Sequence, residues 1–103
     1  MSWSLYVLTC VDGSLYCGIT TDLDRRITQH NDGKGAKYTR AKRPVQLSMH
    51  WDGLSHRSAA RAEYCFKRLS RHQKEVALQN PLWPSSVLTD KHNVDDASAD
   101  SEE

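Results

Sequence analysis

The sequence has no uninterrupted apolar run longer than a few residues, against the roughly 18 to 20 that crossing a bilayer requires. No membrane span is expected. Met1-Ser2-Trp3-Ser4-Leu5-Tyr6 carries no basic stretch, so a secretory leader is not expected either. There are only three cysteines, Cys10, Cys17 and Cys65, and they form neither a CxxC pair nor a Cys/His set with zinc-finger spacing. Three thiols cannot all pair within one chain. Their neighbours include Leu8, Leu15, Ile19 and Phe66, so reduced, mostly buried thiols in a cytoplasmic protein, or a nuclear one in a eukaryote, are expected. No GxxxxGK[ST] run is present, which removes the P-loop from consideration. His50, His56, His72 and His92 lack the mutual spacing of a metal cluster. No internal repeat is visible, and 103 residues make a single domain.

Charge is present but unevenly distributed. Residues 1–80 hold 13 Lys and Arg against 7 Asp and Glu, a net of +6. Residues 81–103 hold Lys91 against six acids, a net of −5. The near-neutral total therefore conceals a basic body, suited to a phosphate-bearing partner, and an acidic end. That end has no aromatic residue after Trp83 and too little apolar surface to fold alone, so a domain over 1–80 and an acidic, disordered tail over 81–103 are expected. The plainer alternative for the tail is a solubilising segment.

Local patterns give the element order. Leu5 to Cys10 and Leu15 to Thr20 are rich in β-branched and aromatic residues and are joined through Asp12-Gly13, a strong hairpin signal. A two-residue loop would place Tyr6 and Tyr16 on opposite faces. A three-residue loop with Gly13 in the left-handed region pairs Leu8 with Tyr16 and Tyr6 with Gly18, which unites both tyrosines and gathers Leu5, Val7, Leu15, Cys17 and Ile19 on the other face. The second register is the one expected. A helix over about 22–31 follows, with Asp22 at its cap and Gly33 and Gly35 beyond its end. A loop spans 33–44, and Val45 to Trp51 alternates as a third strand closed by a turn at Asp52-Gly53. Ser55 caps a helix to about Leu69 with Ala59, Ala62, Phe66 and Leu69 as its buried stripe, and Ser70 caps a short one before Asn80-Pro81. The sum is an α+β fold, a three-stranded, mostly antiparallel sheet flanked by helices.

Three groups of residues could carry chemistry. The loop from Lys34 to Arg43 holds five cations in ten residues and no carboxylate. Lys34, Lys37, Arg40, Lys42 and Arg43 with Tyr38 form a nucleic-acid contact surface or, more plainly, a solvated loop. Arg26 and His30 lie one helical turn apart beside Arg25 and can hold one phosphoryl group between guanidinium and imidazole, unless they are simply exposed. Among the carboxylates, only Glu63 sits mid-helix beside small residues, Ala59, Ala60 and Ala62. It can hold one divalent ion, or it can pair with Lys67 one turn on.

With these residues in view, the chain resembles the GIY-YIG nuclease superfamily. The signature stands here as Ser4-Leu5-Tyr6, Tyr16-Cys17-Gly18, Asp22 to His30 and Arg61-Ala62-Glu63-Tyr64. The Gly33 to Arg40 run and Lys67 to Ser70 look most like the short stand-alone YhbQ-type branch. The resemblance implies hydrolysis of a DNA phosphodiester, with RNA left open, using one Mg²⁺ or Mn²⁺ held by Glu63. It assigns Tyr6 to deprotonating water, Tyr16 to orienting nucleophile and phosphate, Arg26 to the developing charge, and His30 to assistance. It implies cleavage directed by structure or damage, as in DNA repair and recombination. Ser4, Leu5 and Cys17 depart from the signature letters, Ile19 stands where many members have lysine, and the asparagine found after the metal glutamate in other branches has no counterpart. A non-catalytic nucleic-acid-binding or adaptor module is the alternative, and a protein-interaction domain whose acidic tail recruits a basic partner is a third. Oligomeric state is not readable from the sequence.

Overall fold

A computed structural model describes residues 2–88. The expected acidic tail lies outside the described residues from position 89 onward. The hairpin pairs β1 (Trp3–Thr9) with β2 (Leu15–Thr20). Its loop is closed by Cys10 N–H donating to Ser14 O at 2.8 Å and Gly13 N–H donating to Cys10 O at 2.9 Å, with Gly13 at φ +86°. A side chain there would meet no neighbour but would force a β-carbon into the left-handed region, so glycine is required by backbone conformation alone. The resulting register is Tyr6 opposite Gly18 and Leu8 opposite Tyr16, the three-residue-loop solution.

After α1 (Leu23–Asn31), a single turn α2 (Lys37–Arg40) and β3 (Gln46–Leu54), the sheet is complete in the order β2-β1-β3, all antiparallel. Three helices follow: α3 (His56–Lys67), α4 (Arg71–Ala77) and α5 (Trp83–Leu88). Central β1 is buried on both sides. Leu5 and Val7 join Cys17, Ile19, Trp51 and the α3 stripe of Ala59, Ala62 and Phe66. Tyr6 and Leu8 point the other way and join Cys10 and Val45, with Leu23 and Ile27 of α1 packed on them. The fold is the expected α+β arrangement.

Three expectations need correction. Asp52-Gly53 does not end β3: the strand runs on to Leu54, and Gly53 at φ +75° forms a bulge where the pairing jumps from Leu5 with Trp51 to Trp3 with Leu54. Asp-Gly supplies a positive φ, which a bulge uses as readily as a turn. The loop over 33–44 contains α2, whose four residues are too few to show a period and whose cap, Ala36, has no capping side chain. The fold also does not stop at residue 80. Trp83 is 8% exposed, its ring 5.4 Å from that of Trp51 and 5.7 Å from that of Phe66, and Trp51 Nε1 donates to Asn80 O at 3.1 Å. Pro84 lies in the first turn of α5, where the missing N–H has no helical partner to lose.

Trp83→Ala is therefore expected to cost about 3 to 5 kcal/mol in urea-induced unfolding. Leu82→Ala, at a side chain 71% exposed, should stay within about 0.5 kcal/mol.

Candidate active site

Helix α1 begins at Asp22, whose Oδ1 accepts from Arg25 N–H at 3.2 Å. From that start Leu23, Ile27 and His30 fall on one stripe at helical spacing. The stripe faces the sheet, so His30 is carried under the hairpin and is fully buried. Its Nε2 lies 2.9 Å from the Tyr6 hydroxyl and its Nδ1 lies 2.8 Å from Thr39 Oγ1. The Thr39 hydroxyl also lies 3.0 Å from Ala36 O and can donate to it. Arg26 lies one residue off the stripe and is half-buried. Its Nε–H points at the Tyr6 hydroxyl at 3.4 Å and its Nη1 donates to Gln29 Oε1 at 3.0 Å.

The expectation that Arg26 and His30 jointly hold a phosphoryl group is corrected here. Both ring nitrogens of His30 are engaged and the ring has no exposed surface, so it can reach a ligand only through Tyr6. Burial first, and the nearby Arg26 charge second, lower its pKa from 6.5 to about 4. The imidazole is neutral near pH 7.

The hairpin register sets both phenols on this face, with ring centroids 6.5 Å apart. Tyr16 lies 5.2 Å from the His30 ring, and Tyr38 from α2 stacks on Tyr16 at 5.9 Å with an interplanar angle of 24°. Tyr6 is enclosed, whereas Tyr16 is half-buried and Tyr38 exposed. The basic loop divides into two groups. Lys42 is tied to Asp12 at 3.1 Å and sits 4.2 Å over the Tyr38 ring. Hydrogen bonds to Asp12 and then to Tyr38 raise the Lys42 pKa, and bonds from Ser14, then Lys42, lower that of Asp12. Arg43 folds back on Arg40 O at 2.8 Å, covering Gly33. Lys34, Lys37, Arg40 and Arg43 are exposed, as is Arg25 on the solvent side of α1.

Glu63 is 4% exposed and its Oε2 meets Lys67 Nζ at 3.1 Å. The carboxylate is thus both buried and paired, and the two readings of its sequence position are not exclusive. Lys67 lines a cavity of about 260 Å³ together with Tyr16, Tyr38, Cys17, Phe66 and Lys74 at the free edge of β2. Among the described residues no group of three or more His, Cys, Asp or Glu side chains could enclose a metal ion. A lone hard-oxygen donor on a small-residue helix face fits an ion such as Mg²⁺, which keeps most of its waters and takes substrate oxygens as further ligands. Gln29 and Thr39 escaped the sequence reading. Gln29 had a signal, its i+3 spacing from Arg26; Thr39 had none.

Comparison with known proteins was made on this geometry. A family model for the GIY-YIG catalytic domain matches residues 2–76. The chain belongs to the GIY-YIG family. Its relatives include a UPF0213 protein of Bacillus licheniformis, 56% identical over 68% of this chain and 72% of that protein. The UPF0213 protein YazA of Bacillus subtilis is 49% identical over 72% and 75% respectively. Among solved structures, the solution NMR structure of a UPF0213 protein from Bacillus halodurans is 44% identical, with a TM-score of 0.53, covering 91% of this chain and all of that one. An E. faecalis protein, also solved by NMR, is 37% identical with a TM-score of 0.52 over 93% and 96%. The two GIY-YIG tripeptides lie on β1 and β2, and the Tyr6–Gly18 pairing joins them. Among the described residues no helix is long and apolar enough to cross a membrane.

The depressed His30 pKa makes a signed prediction. Unfolded chains bind a proton at His30 near pH 6.5 and the folded chain only near 4, so this contribution to stability is complete above pH 6.5 and is lost as pH falls toward 4. Urea midpoints measured across that window should fall for the native sequence, and the fall should be shallower in His30→Gln.

Proposed function

We propose that this chain is an endonuclease that hydrolyses phosphodiester bonds in DNA, using one Mg²⁺ or Mn²⁺ held by Glu63. The observation that supports this most directly is the meeting of a guanidinium and two phenols on one sheet face, beside a cavity walled by Tyr16 and by Lys67, the ion-pair partner of Glu63. Hydrolysis of a phosphodiester needs the charge on the non-bridging oxygens offset and a water aligned with the leaving group. When bound, the divalent ion would offset charge on phosphate oxygens and lower the pKa of water.

The protein's own groups supply the rest. Arg26 brings a planar fork that can hold two phosphate oxygens. Its Nε–H rests against the Tyr6 hydroxyl, so its turning toward a phosphate would deliver the fork from beside the phenol. Tyr6 then accepts a hydrogen bond from the attacking water, helped by nearby positive charge because a phenol is a weak base at its ordinary pKa of about 10. Tyr16, already facing the cavity, orients the phosphate. Lys34, Lys37 and Arg40 follow the DNA backbone, while Lys42 and Arg43 hold the loop in shape. Binding by backbone charge and stacking favours recognition of DNA shape or damage over sequence. The adaptor reading has no comparable use for a buried carboxylate beside this cavity.

Nicking of supercoiled DNA in Mg²⁺ or Mn²⁺ should fall by roughly 100-fold or more in Glu63→Gln and in Arg26→Ala, with affinity measured in parallel changing much less. Equal nicking by native and Glu63→Gln protein would overturn the proposal. Replacing Lys34 or Arg40 by alanine should reduce the slope of log affinity against log salt by about 1 each.

A further inference from the structure

We infer that the outer face of α3 is a second contact surface for a nucleic-acid backbone, turned away from the first, so that one chain can hold two DNA segments at once. The inference rests on the nuclease reading only for DNA as the ligand of the first surface; the second is argued from its own residues.

At 100° per residue, Arg57, Arg61, Tyr64 and Arg68 fall in one narrow stripe along α3 and its C-cap. The stripe lies opposite Ala59, Ala62 and Phe66, which pack on the sheet. Arg57, Tyr64 and Arg68 are exposed and Arg61 is half-buried, and the four side chains extend about 16 Å along the helix axis. Tyr64 and Arg68 brace each other: the guanidinium carbon lies 5.5 Å from the ring centroid and Nη1 donates to the phenol oxygen at 3.3 Å. That bond uses one of five guanidinium N–H donors. The others remain for phosphate oxygens, which the planar fork of arginine suits.

The stripe carries no carboxylate. The only acids of α3 and α4 are Glu63 and Glu75, and they pair with Lys67 at 3.1 Å and Arg71 at 2.8 Å. Among the described residues none of the three stripe arginines is in an ion pair. This pattern weakens the helix that bears it. Arg57 stands in the first turn, where the helix dipole favours an acid, and Arg57 and Arg61 set like charges at i, i+4, where a Glu and a Lys would attract. A face that met only water would be better served by mixed charges. A polyanion laid along the stripe relieves both conflicts.

The two basic surfaces look in opposite directions. The loop of Lys34, Lys37 and Arg40 is tied through Thr39 and His30 to the sheet face of Tyr6, whereas α3 covers the face of Leu5 and Val7. The sheet lies between them, so a straight duplex on one surface leaves the other free for a second segment, such as another arm of a branch.

The test counts duplexes bound per chain. Short duplexes of about one helical turn are titrated onto the full chain at about 50 mM salt, with EDTA present so that no cleavage intervenes, and the bound ratio is read by sedimentation. Two per chain are expected, falling to one in the triple variant Arg57→Gln/Arg61→Gln/Arg68→Gln, whose folding is checked by its urea midpoint. Each arginine replaced singly should lower the salt slope of the second binding event by about 1. Nicking of supercoiled DNA should be unchanged in the triple variant. One duplex per native chain, or two per triple variant, would overturn the inference. So would native protein binding poly-glutamate as tightly as DNA and losing it in the triple variant, which would mark an acidic protein segment as the occupant. Nicking insensitive to Glu63→Gln would defeat the nuclease reading and leave the duplex count standing.

Discussion

A buried polar group must find a partner or lose a hydrogen bond to water without replacement, and one face of this sheet is organised around that requirement. Tyr6, His30 and Thr39 are fully buried yet polar. Each satisfies the next, and each comes from a different element: β1, α1 and α2. The requirement explains why a four-residue helix without a side-chain cap persists. Thr39 is held from one side by Ala36 O and from the other by His30, so the loop is ordered by its contacts with the core. Removing one partner would leave a buried donor or acceptor unmet, typically a larger cost than the bond contributes net.

The same loop carries the basic surface. Asp12 draws Lys42 to the hairpin turn, Val11 N–H bonds Lys42 O at 3.0 Å, and Asn31 brackets Val45 by accepting its N–H at 2.8 Å and donating to its carbonyl at 3.2 Å. Exposed ion pairs contribute little individually. Here they act with the buried hydrogen bonds and the Tyr16–Tyr38 stack to hold the cation-bearing backbone beside the sheet face that carries Tyr6 and Tyr16. The exposed cations Lys34, Lys37, Arg40 and Arg43 are thereby presented on a loop that is fixed to the core.

On the opposite face the demand is apolar. Leu5, Val7 and Ile19 need a cover, and α3 supplies it with alanines close to the sheet and Phe66 deeper. Small residues allow α3 to approach closely, and that approach brings Glu63 to the β2 edge while Trp83 of α5 closes the far side. Ile19 is fully buried in this layer, so its side chain serves packing. The lower layer thus places the carboxylate and the upper layer places the phenols, with the free edge of β2 between them.

Much of this was legible in residue order. Asp12-Gly13 between alternating strands dictated the hairpin, because a left-handed glycine in a three-residue loop gives only one register in which the apolar residues share a face. Asp22, Ser55 and Ser70 marked the helix starts because each offers a side-chain oxygen to a free N–H. From these followed the strand and helix order and the placing of Tyr6 and Tyr16 on one face of the hairpin. What only the tertiary structure decided were relations across distance: the burial of His30, its bond to Thr39, the engagement of Lys42 and Arg43, the bulge at Gly53 and the docking of Trp83. Local signals report the preferences of neighbouring residues along the backbone. Whether a histidine ends in water or under a sheet, and whether a proline-flanked tryptophan leaves the fold or fills it, depends on surfaces that exist only once the layers have packed.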